Sequence, residues 1–390
     1  MEQGSVELRV GFFTEVARPV VNGVVEAVDG LAEGLRSRGL EVYCFAPRMP
    51  GGEGAQTSTV EMPSLPIPAI SPYRLTLPLV SRRTVNNIVK RLSIVHAHSL
   101  FVTGWAGLRY ARRYGMPIVY TYHTQLEAYA HYVPFEPKAT RFAAAQLTRT
   151  FGNLVDAVVV PTPAMAKHLR HIGVETRIEV VPSGIDVERF GAGRRDVSLR
   201  KRLRLKSGER LLLLVSRLAR EKNIDLALAA LARANDPSLK LVIAGDGPAR
   251  EELEQRAVDL GVADAVSFLG VVPRAQLPDL YATADAFVFP STTETQGLVQ
   301  AEALAAGSYA IVADCAANRE VVGDAARIAA ATVAAFARAM REIPAAPSTE
   351  VAERGKLAAR RFAIGRQAAA MADLYHSLLD PSCVTNIRSI

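Results

Sequence analysis

The chain has 390 residues, which at ~150 residues per domain implies two to three domains. Hydrophobic residues make up 49% and charged residues 22%, enough apolar material for large cores and no compositional case for disorder. The net charge of +7 is a mild basic excess, so its placement matters more than its size. The longest stretch without Asp, Glu, Lys or Arg, Leu92 to Leu108, contains His96 and His98 and is shorter than the ~20 apolar residues of a spanning helix. The opening MEQGSVELRV carries neither a basic leader nor an apolar signal region. Cys44, Cys315 and Cys383 are few and far apart, against a disulfide framework or a zinc cluster. The expectation is a cytoplasmic, reducing-compartment protein.

Strand followed by helix is the repeated pattern. LRVGFF is a short apolar run, and Val24, Val28, Leu31 and Leu35 then recur at helical spacing up to Gly39. EVYCFAP, IVHAH, PIVYTY, DAVVVP and RIEVVP continue the strand series. The polar stretch Gly191 to Arg210 has no strand pattern and opens a second series: LLLLVS, LKLVIAG, AVSFLG, AFVFPS and YAIVAD. Such alternation implies parallel sheets covered on both faces. The fold expected is α/β with two doubly wound domains, divided near Pro182.

The glycine-rich loops point away from a nicotinamide enzyme. The first strand leads into TEVARPVVNGVVEAV, without G-x-G-x-x-G, and Gly245-Asp246-Gly247 has Arg250 where a third glycine belongs. Two glycines there read as a tight strand-to-helix turn. Gly23 admits two readings: an anion site at a helix N-terminus, or the turn that Asn22-Gly23 makes.

SRLAREKN follows LLLLV, and the carboxyl edge of a parallel strand is where doubly wound domains bind ligands. Arg217 and Lys222 there could hold a diphosphate, or form ion pairs in a solvated loop. After AFVFP, Glu294 falls in a loop and a helix is expected from near Gly297 to Gly307, freeing backbone N–H groups of Gln296, Gly297 and Leu298 for a phosphate or sugar oxygen. Glu302 lies roughly 6 Å of rise beyond Leu298. The two carboxylates then bracket an anion site, each open to hydroxyl groups, which suits a nucleotide sugar better than a bare nucleotide.

Glu294 through Glu302 resembles the E-x7-E motif of the retaining GT-B-fold glycosyltransferases of family 4. SRLAREKN resembles that family's basic diphosphate motif, VNGV its N-terminal phosphate loop, and PSGID with Phe190 its interdomain signature, with Ser183 where Asn is usual. AGDGP and AFVFPS also fit, and the similarity runs in order through nearly the whole chain. It implies a GT-B fold: two Rossmann-like domains facing a cleft, 1–182 for the acceptor and 183–363 for the nucleotide sugar, with a final helix (Ile364 to Leu379, within 364–390) crossing back onto the first. The resemblance also implies roles. Arg217 and Lys222 neutralise the leaving diphosphate, Glu302 binds ribose, Glu294 meets donor-sugar hydroxyls, His123 lies beside the transferred sugar, and the Gly23 amide touches phosphate. Without the family, His123 reads as a structural histidine. TETQGLV and YTYHTQLEAYAHY resemble bacterial diacylglycerol glucosyltransferases and related mannosyltransferases, making a membrane lipid the implied acceptor and UDP-glucose or GDP-mannose the implied donor. Cys315-Ala316-Ala317-Asn318-Arg319-Glu320 replaces a turn usually rich in glycine, a departure that bears on the nucleotide contacts near Glu320.

No D-x-D triplet occurs, so no metal and no cofactor are expected, and the diphosphate charge falls to Arg217, Lys222 and helix N-termini. From Met62 to Leu126 there is no Asp or Glu, while Arg74, Arg82, Arg83, Lys90, Arg91, Arg109, Arg112 and Arg113 fall inside. PSLPIPAISPYRLTLPLVSRR joins apolar residues to such charges, as an interfacial loop on an anionic membrane would and as an ordinary packed loop also does. Arg82, Arg83, Tyr129 and His131 are the candidates for the acceptor or membrane face. A nucleotide-sugar epimerase shares the donor site without an acceptor surface. Nucleic-acid binding is disfavoured, because the aromatics are few and fall mainly in strands.

Overall fold

The computed structural model describes residues 8–48, 59–66, 74–77, 83–132, 136–344 and 349–380. The chain forms two compact units, Met1–Gly184 with Ile364–Ile390, and Ile185–Ala363. The first unit runs two residues past Pro182 because the Gly184 N–H donates to Gln367 at 2.9 Å, within that unit. Ile185 instead bridges to Ala363 in the second unit, its N–H bonded to the Phe362 carbonyl at 2.7 Å.

In the first unit the elements are β1 (Arg9–Phe13), α1 (Gly23–Arg36), β2 (Glu41–Pro47), β3 (Thr59–Met62), β4 (Ser64–Pro66), β5 (Arg74–Thr76), α2 (Arg83–Val89) and β6 (Ile94–Ala97). There follow α3 (Val102–Tyr114), β7 (Ile118–Thr121), a 3-10 turn (Leu126–Tyr132), α4 (Pro137–Gly152), β8 (Ala157–Val160), α5 (Pro163–His171) and β9 (Ile178–Val180). A parallel seven-stranded sheet has the order β3-β2-β1-β6-β7-β8-β9. Side-chain alternation serves both faces: Val10 and Phe12 join one buried cluster, Phe13 the opposite one.

The second unit comprises α6 (Val187–Gly191), α7 (Val197–Arg202), β10 (Arg210–Val215), α8 (Ile224–Ala234), β11 (Leu239–Ala244), α9 (Arg250–Asp259), β12 (Val266–Gly270) and α10 (Leu277–Thr283). It continues with β13 (Ala286–Phe289), α11 (Leu298–Ala305), β14 (Ala310–Ala313), α12 (Ala316–Val322), β15 (Arg327–Ala329), α13 (Val333–Arg341) and α14 (Thr349–Ala359). Its parallel sheet has the order β12-β11-β10-β13-β14-β15. β10 is apolar throughout because it is covered on both sides: Leu212 and Leu214 pack into one cluster, Leu211 and Leu213 into the other.

The chain then returns to the first unit as α15 (Ile364–Leu379), which packs on α1. Gly34 makes that approach possible, since a Cβ there would lie 2.6 Å from Ile364 Cγ2.

One expectation needs correction. Ser64–Pro66 and Arg74–Thr76, read as parts of one loop, pair as antiparallel strands, and the Arg74 guanidinium donates to Ser64 Oγ (2.9 Å) and to the Ser64 carbonyl (3.0 Å). The polar stretch Gly191 to Arg210 holds no strand before β10, as expected, and includes the short helix α7, capped by Asp196, whose carboxylate accepts from the Ser198 N–H at 2.8 Å.

Candidate active site

In each sheet the strand order reverses once, between β1 and β6 in the first and between β10 and β13 in the second. The carboxyl ends of strands flanking such a switch point leave a crevice, because the following helices depart to opposite faces.

At the second switch point, the loop after β10 carries Ser216 to Asn223 and the loop after β13 carries Pro290 to Gly297. The loops are tied together. Asn223 Nδ2 donates to the Pro290 carbonyl (3.2 Å) and Thr293 Oγ1 to the Glu221 carbonyl (3.0 Å). Lys222 Nζ lies 2.6 Å from Glu294 Oε1, which also accepts from Ser291 Oγ at 2.8 Å. The Arg217 guanidinium pairs with the buried Glu221 carboxylate. Lys222 and Glu294 are thus brought together, and both basic side chains already hold carboxylate partners.

Gly245 and Gly247 support this loop from beside it. A Cβ on Gly245 would fall 1.8 Å from the Ser216 carbonyl oxygen, and one on Gly247 2.3 Å from that of Leu218. Close backbone approach accounts for the glycine pair, and the Leu218 N–H donates to the Asp246 carbonyl at 2.9 Å.

α11 starts at Leu298, one residue beyond Gly297, which takes φ +80°. Its first N–H groups lack intrahelical acceptors, as at any helix start. A buried network braces this start: Gln300 Nε2 donates to Asn318 Oδ1 (2.8 Å) and the Gln296 carbonyl (3.2 Å), and Asn318 Nδ2 donates to the Ser291 carbonyl (2.9 Å). Gln296 is itself buried. Asn318, inside the segment where the sequence departs from the family pattern, is therefore the residue that joins α12 to the loop.

Glu302 lies within α11 as expected, with its carboxylate buried and engaged, accepting from Tyr281 Oη at 3.0 Å and Arg274 Nη1 at 3.0 Å. Burial, together with the Glu302 charge, pushes the Tyr281 phenol well above its ordinary value, so it stays a proton donor. Arg274 is steadied from its other side by the Phe190 ring, 5.4 Å from guanidinium carbon to centroid. Phe190, legible in sequence only as part of a motif, thus supports the Arg274–Glu302 pair. Glu294 faces Lys222 and Ser291 instead, so the two glutamates have separate partners.

At the first switch point, α1 begins at Gly23 with Asn22 as its cap, Asn22 Oδ1 accepting from the Val25 N–H at 2.9 Å. A Cβ on Gly23 would meet nothing within 4 Å, so the space beside this helix start is open. The turn and the helix N-terminus coincide there. His96 and His98 sit at the end of β6 and His123 follows β7. His98 Nδ1 lies 2.9 Å from His123 Nε2, while His96 contacts Tyr375 Oη and Thr121 Oγ1, both at 2.6 Å. Burial lowers the His123 pKa to about 4 and holds His96 and His98 well below the ordinary histidine value, so all three are neutral at pH 7. Neither His96 nor His98 stands out in the sequence as a site residue, although their spacing of two places both on one face of a strand end.

Tyr129 and His131 lie in the 3-10 turn Leu126–Tyr132, and Arg83 opens α2. The His131 and Arg83 side chains, and the whole of Arg82, lie outside the described residues.

Residues 21–189 match the family described as Glycosyltransferase Family 4, and residues 197–361 match Glycosyl transferases group 1. An alpha-monoglucosyldiacylglycerol synthase of Streptococcus pneumoniae is 32% identical over 78% of this chain and 70% of its own length. A GDP-mannose-dependent alpha-mannosyltransferase of Mycobacterium tuberculosis is 32% identical over 92% of this chain and 93% of its own. Among solved structures, a sucrose-phosphate synthase from Thermosynechococcus elongatus superposes with a TM-score of 0.78 at 20% identity, covering 95% of this chain and 99% of that one. With two parallel-sheet units, a basic loop and a glutamate loop joined at one switch point, and these relatives, the chain belongs to glycosyltransferase family 4 and has the GT-B fold.

Proposed function

We propose that this glycosyltransferase moves a hexose, with retention of configuration, from a nucleotide sugar to a hydroxyl of a membrane lipid. UDP-glucose is the favoured donor and diacylglycerol the favoured acceptor. The observation that carries the donor half is the Lys222–Glu294 pair at 2.6 Å beside the start of α11. A cation, a carboxylate and helix N–H groups are gathered where a diphosphate and its sugar need them.

On this reading the incoming diphosphate draws Lys222 from Glu294 and Arg217 from Glu221. Glu294, released, accepts hydrogen bonds from sugar hydroxyls. Charge growing on the departing diphosphate is met by Lys222, Arg217 and the α11 N-terminus, and no metal is needed. Each carboxylate oxygen has two lone pairs, so Glu302 can accept from a ribose hydroxyl while keeping Tyr281 and Arg274. In the first unit, the Gly23 amide meets phosphate and neutral His123 hydrogen-bonds the sugar.

The acceptor half is supported by the name of the pneumococcal relative and by the surface of α3. Phe101 and Trp105 are exposed one turn apart, and Arg109, Arg112 and Arg113 are exposed farther along the helix. Exposed aromatics beside basic residues suit peripheral binding at an anionic lipid surface, on the cytoplasmic face of the membrane. Among the described residues no helix is long and apolar enough to cross a membrane. A second reading, mannosyl transfer from GDP-mannose, is favoured by the mycobacterial relative's match along 92% of this chain.

The test is incubation of the protein with labelled UDP-glucose or GDP-mannose and anionic vesicles containing diacylglycerol, followed by product chromatography and NMR of the anomeric proton. A retained α-hexosyl lipid is expected. Transfer to soluble acceptors alone, or isomerisation of the free nucleotide sugar, would refute the lipid reading.

A further inference from the structure

The three histidines at the first switch point are not equivalent. Both ring nitrogens of His96 have hydroxyl partners, at 2.6 Å each, which ties β6 to β7 and to α15. The two ring nitrogens of His98 differ: Nδ1 lies 2.9 Å from His123 Nε2, while Nε2 is buried with no hydrogen-bond partner among the described residues. The His98 ring is clamped between His96, 4.0 Å between centroids, and Phe12, 4.5 Å and edge-on. Its backbone N–H is fixed to the Phe13 carbonyl at 2.8 Å.

A neutral imidazole carries one N–H, and the contact between His98 and His123 needs one proton between two nitrogens. If His123 supplied it from Nε2, the His98 proton would sit on its own Nε2, a buried N–H without an acceptor. Buried orphan N–H groups are rare in native proteins because the lost hydration is not replaced. If His98 donates from Nδ1, its Nε2 is only an unused lone pair, and the His123 proton is placed on Nδ1.

We propose that His98 is a positioning residue for His123: its Nδ1–H donates to His123 Nε2, locks the ring, and makes Nδ1–H the hydrogen bond that His123 offers the transferred sugar. This rests on the glycosyltransferase reading for the identity of the sugar, but the tautomer itself does not. Burial, which keeps both rings neutral at pH 7, maintains the arrangement across the neutral range.

The experiment combines 15N-histidine NMR of the unliganded full-length protein with kinetics of His98→Leu and His98→Asn. His98→Leu removes the donor; His98→Asn keeps an amide N–H near the place of Nδ1. In the wild type, His123 should show a pyrrole-like Nδ1 and a pyridine-like Nε2. His98→Leu should move the proton toward Nε2 and lower kcat about 10- to 100-fold, the scale of a misplaced catalytic group, with donor KM within about twofold. His98→Asn should restore the wild-type nitrogen pattern and most of kcat. A wild-type His123 protonated on Nε2 overturns the proposal, as do Leu and Asn variants that are equally slow. Should His98→Leu fail to fold, the wild-type spectrum and the Asn variant decide. A wild type that transfers no hexose refutes the function while the tautomer remains testable.

Discussion

Replacing Arg274 by methionine tests the engaged state of Glu302. Methionine keeps much of the stem that packs near Phe190 and removes the cation, leaving a carboxylate whose side chain is 3% exposed with Tyr281 as its remaining partner of the two. Breaking a buried pair costs about 3–5 kcal/mol. Arg274 is itself 28% exposed, so solvent screens the pair from one side and the low end, ~3 kcal/mol, is expected. For a unit of about 150–250 residues each kcal/mol lowers the melting temperature by roughly 2–4 °C, so the variant should melt about 6–12 °C lower. Tyr281→Phe removes one hydrogen bond to a charged group, worth about 1.5–3 kcal/mol. The decisive comparison adds Glu302→Gln to Arg274→Met. Neutralising the stranded carboxylate should recover part of the loss, because an amide buried beside Tyr281 needs no counter-charge. Scanning calorimetry of the three variants measures this. A double variant no more stable than Arg274→Met alone would refute the claim that the uncompensated charge is what destabilises.

Four further outcomes are expected. Lys222→Ala should lower turnover by roughly 10²-fold, as loss of one group stabilising the leaving diphosphate, while wild-type activity survives excess chelator; activity lost in chelator and restored by magnesium would contradict metal-free transfer. By calorimetry, Glu302→Ala should weaken free-nucleotide binding and Glu294→Ala should spare it while depressing transfer, and equal losses of affinity would show the roles to be wrongly divided. His96, His98 and His123 have folded-state pKa values below the unfolded one, so below pH ~6.5 the unfolded chain binds protons first and stability falls as pH drops, by up to about 1.4 kcal/mol per pH unit for each histidine; a urea midpoint equal at pH 7 and pH 5.5 would count against this. Finally, the protein should co-sediment with anionic but not zwitterionic vesicles, lose binding at high salt, and bind less as Arg82→Glu with Arg83→Glu; protein left in the supernatant at low salt would favour a soluble acceptor.

The sequence by itself determined the α/β class, the two strand-helix series and the places of the main functional loops. Those features are local: β10 reads as a strand because RLLLLV is an unbroken apolar run, and α1 because Val28, Leu31 and Leu35 fall on one buried face. Its motifs also point to Lys222, Glu294, Glu302 and His123. The tertiary structure decided who partners whom. Lys222 and Glu294 are 72 positions apart, Arg274 and Glu302 28, and His98 and His123 25, separations at which no periodicity registers. The partners of Glu302 were hidden because helix position alone cannot show that Tyr281 and Arg274 reach its carboxylate. The same limit hid Gln300 and Asn318, whose amides become a brace only when α11 and α12 pack side by side. Backbone propensity and apolar spacing act over a few residues, whereas burial and charge pairing depend on neighbours that only the folded sheets bring within 3 Å.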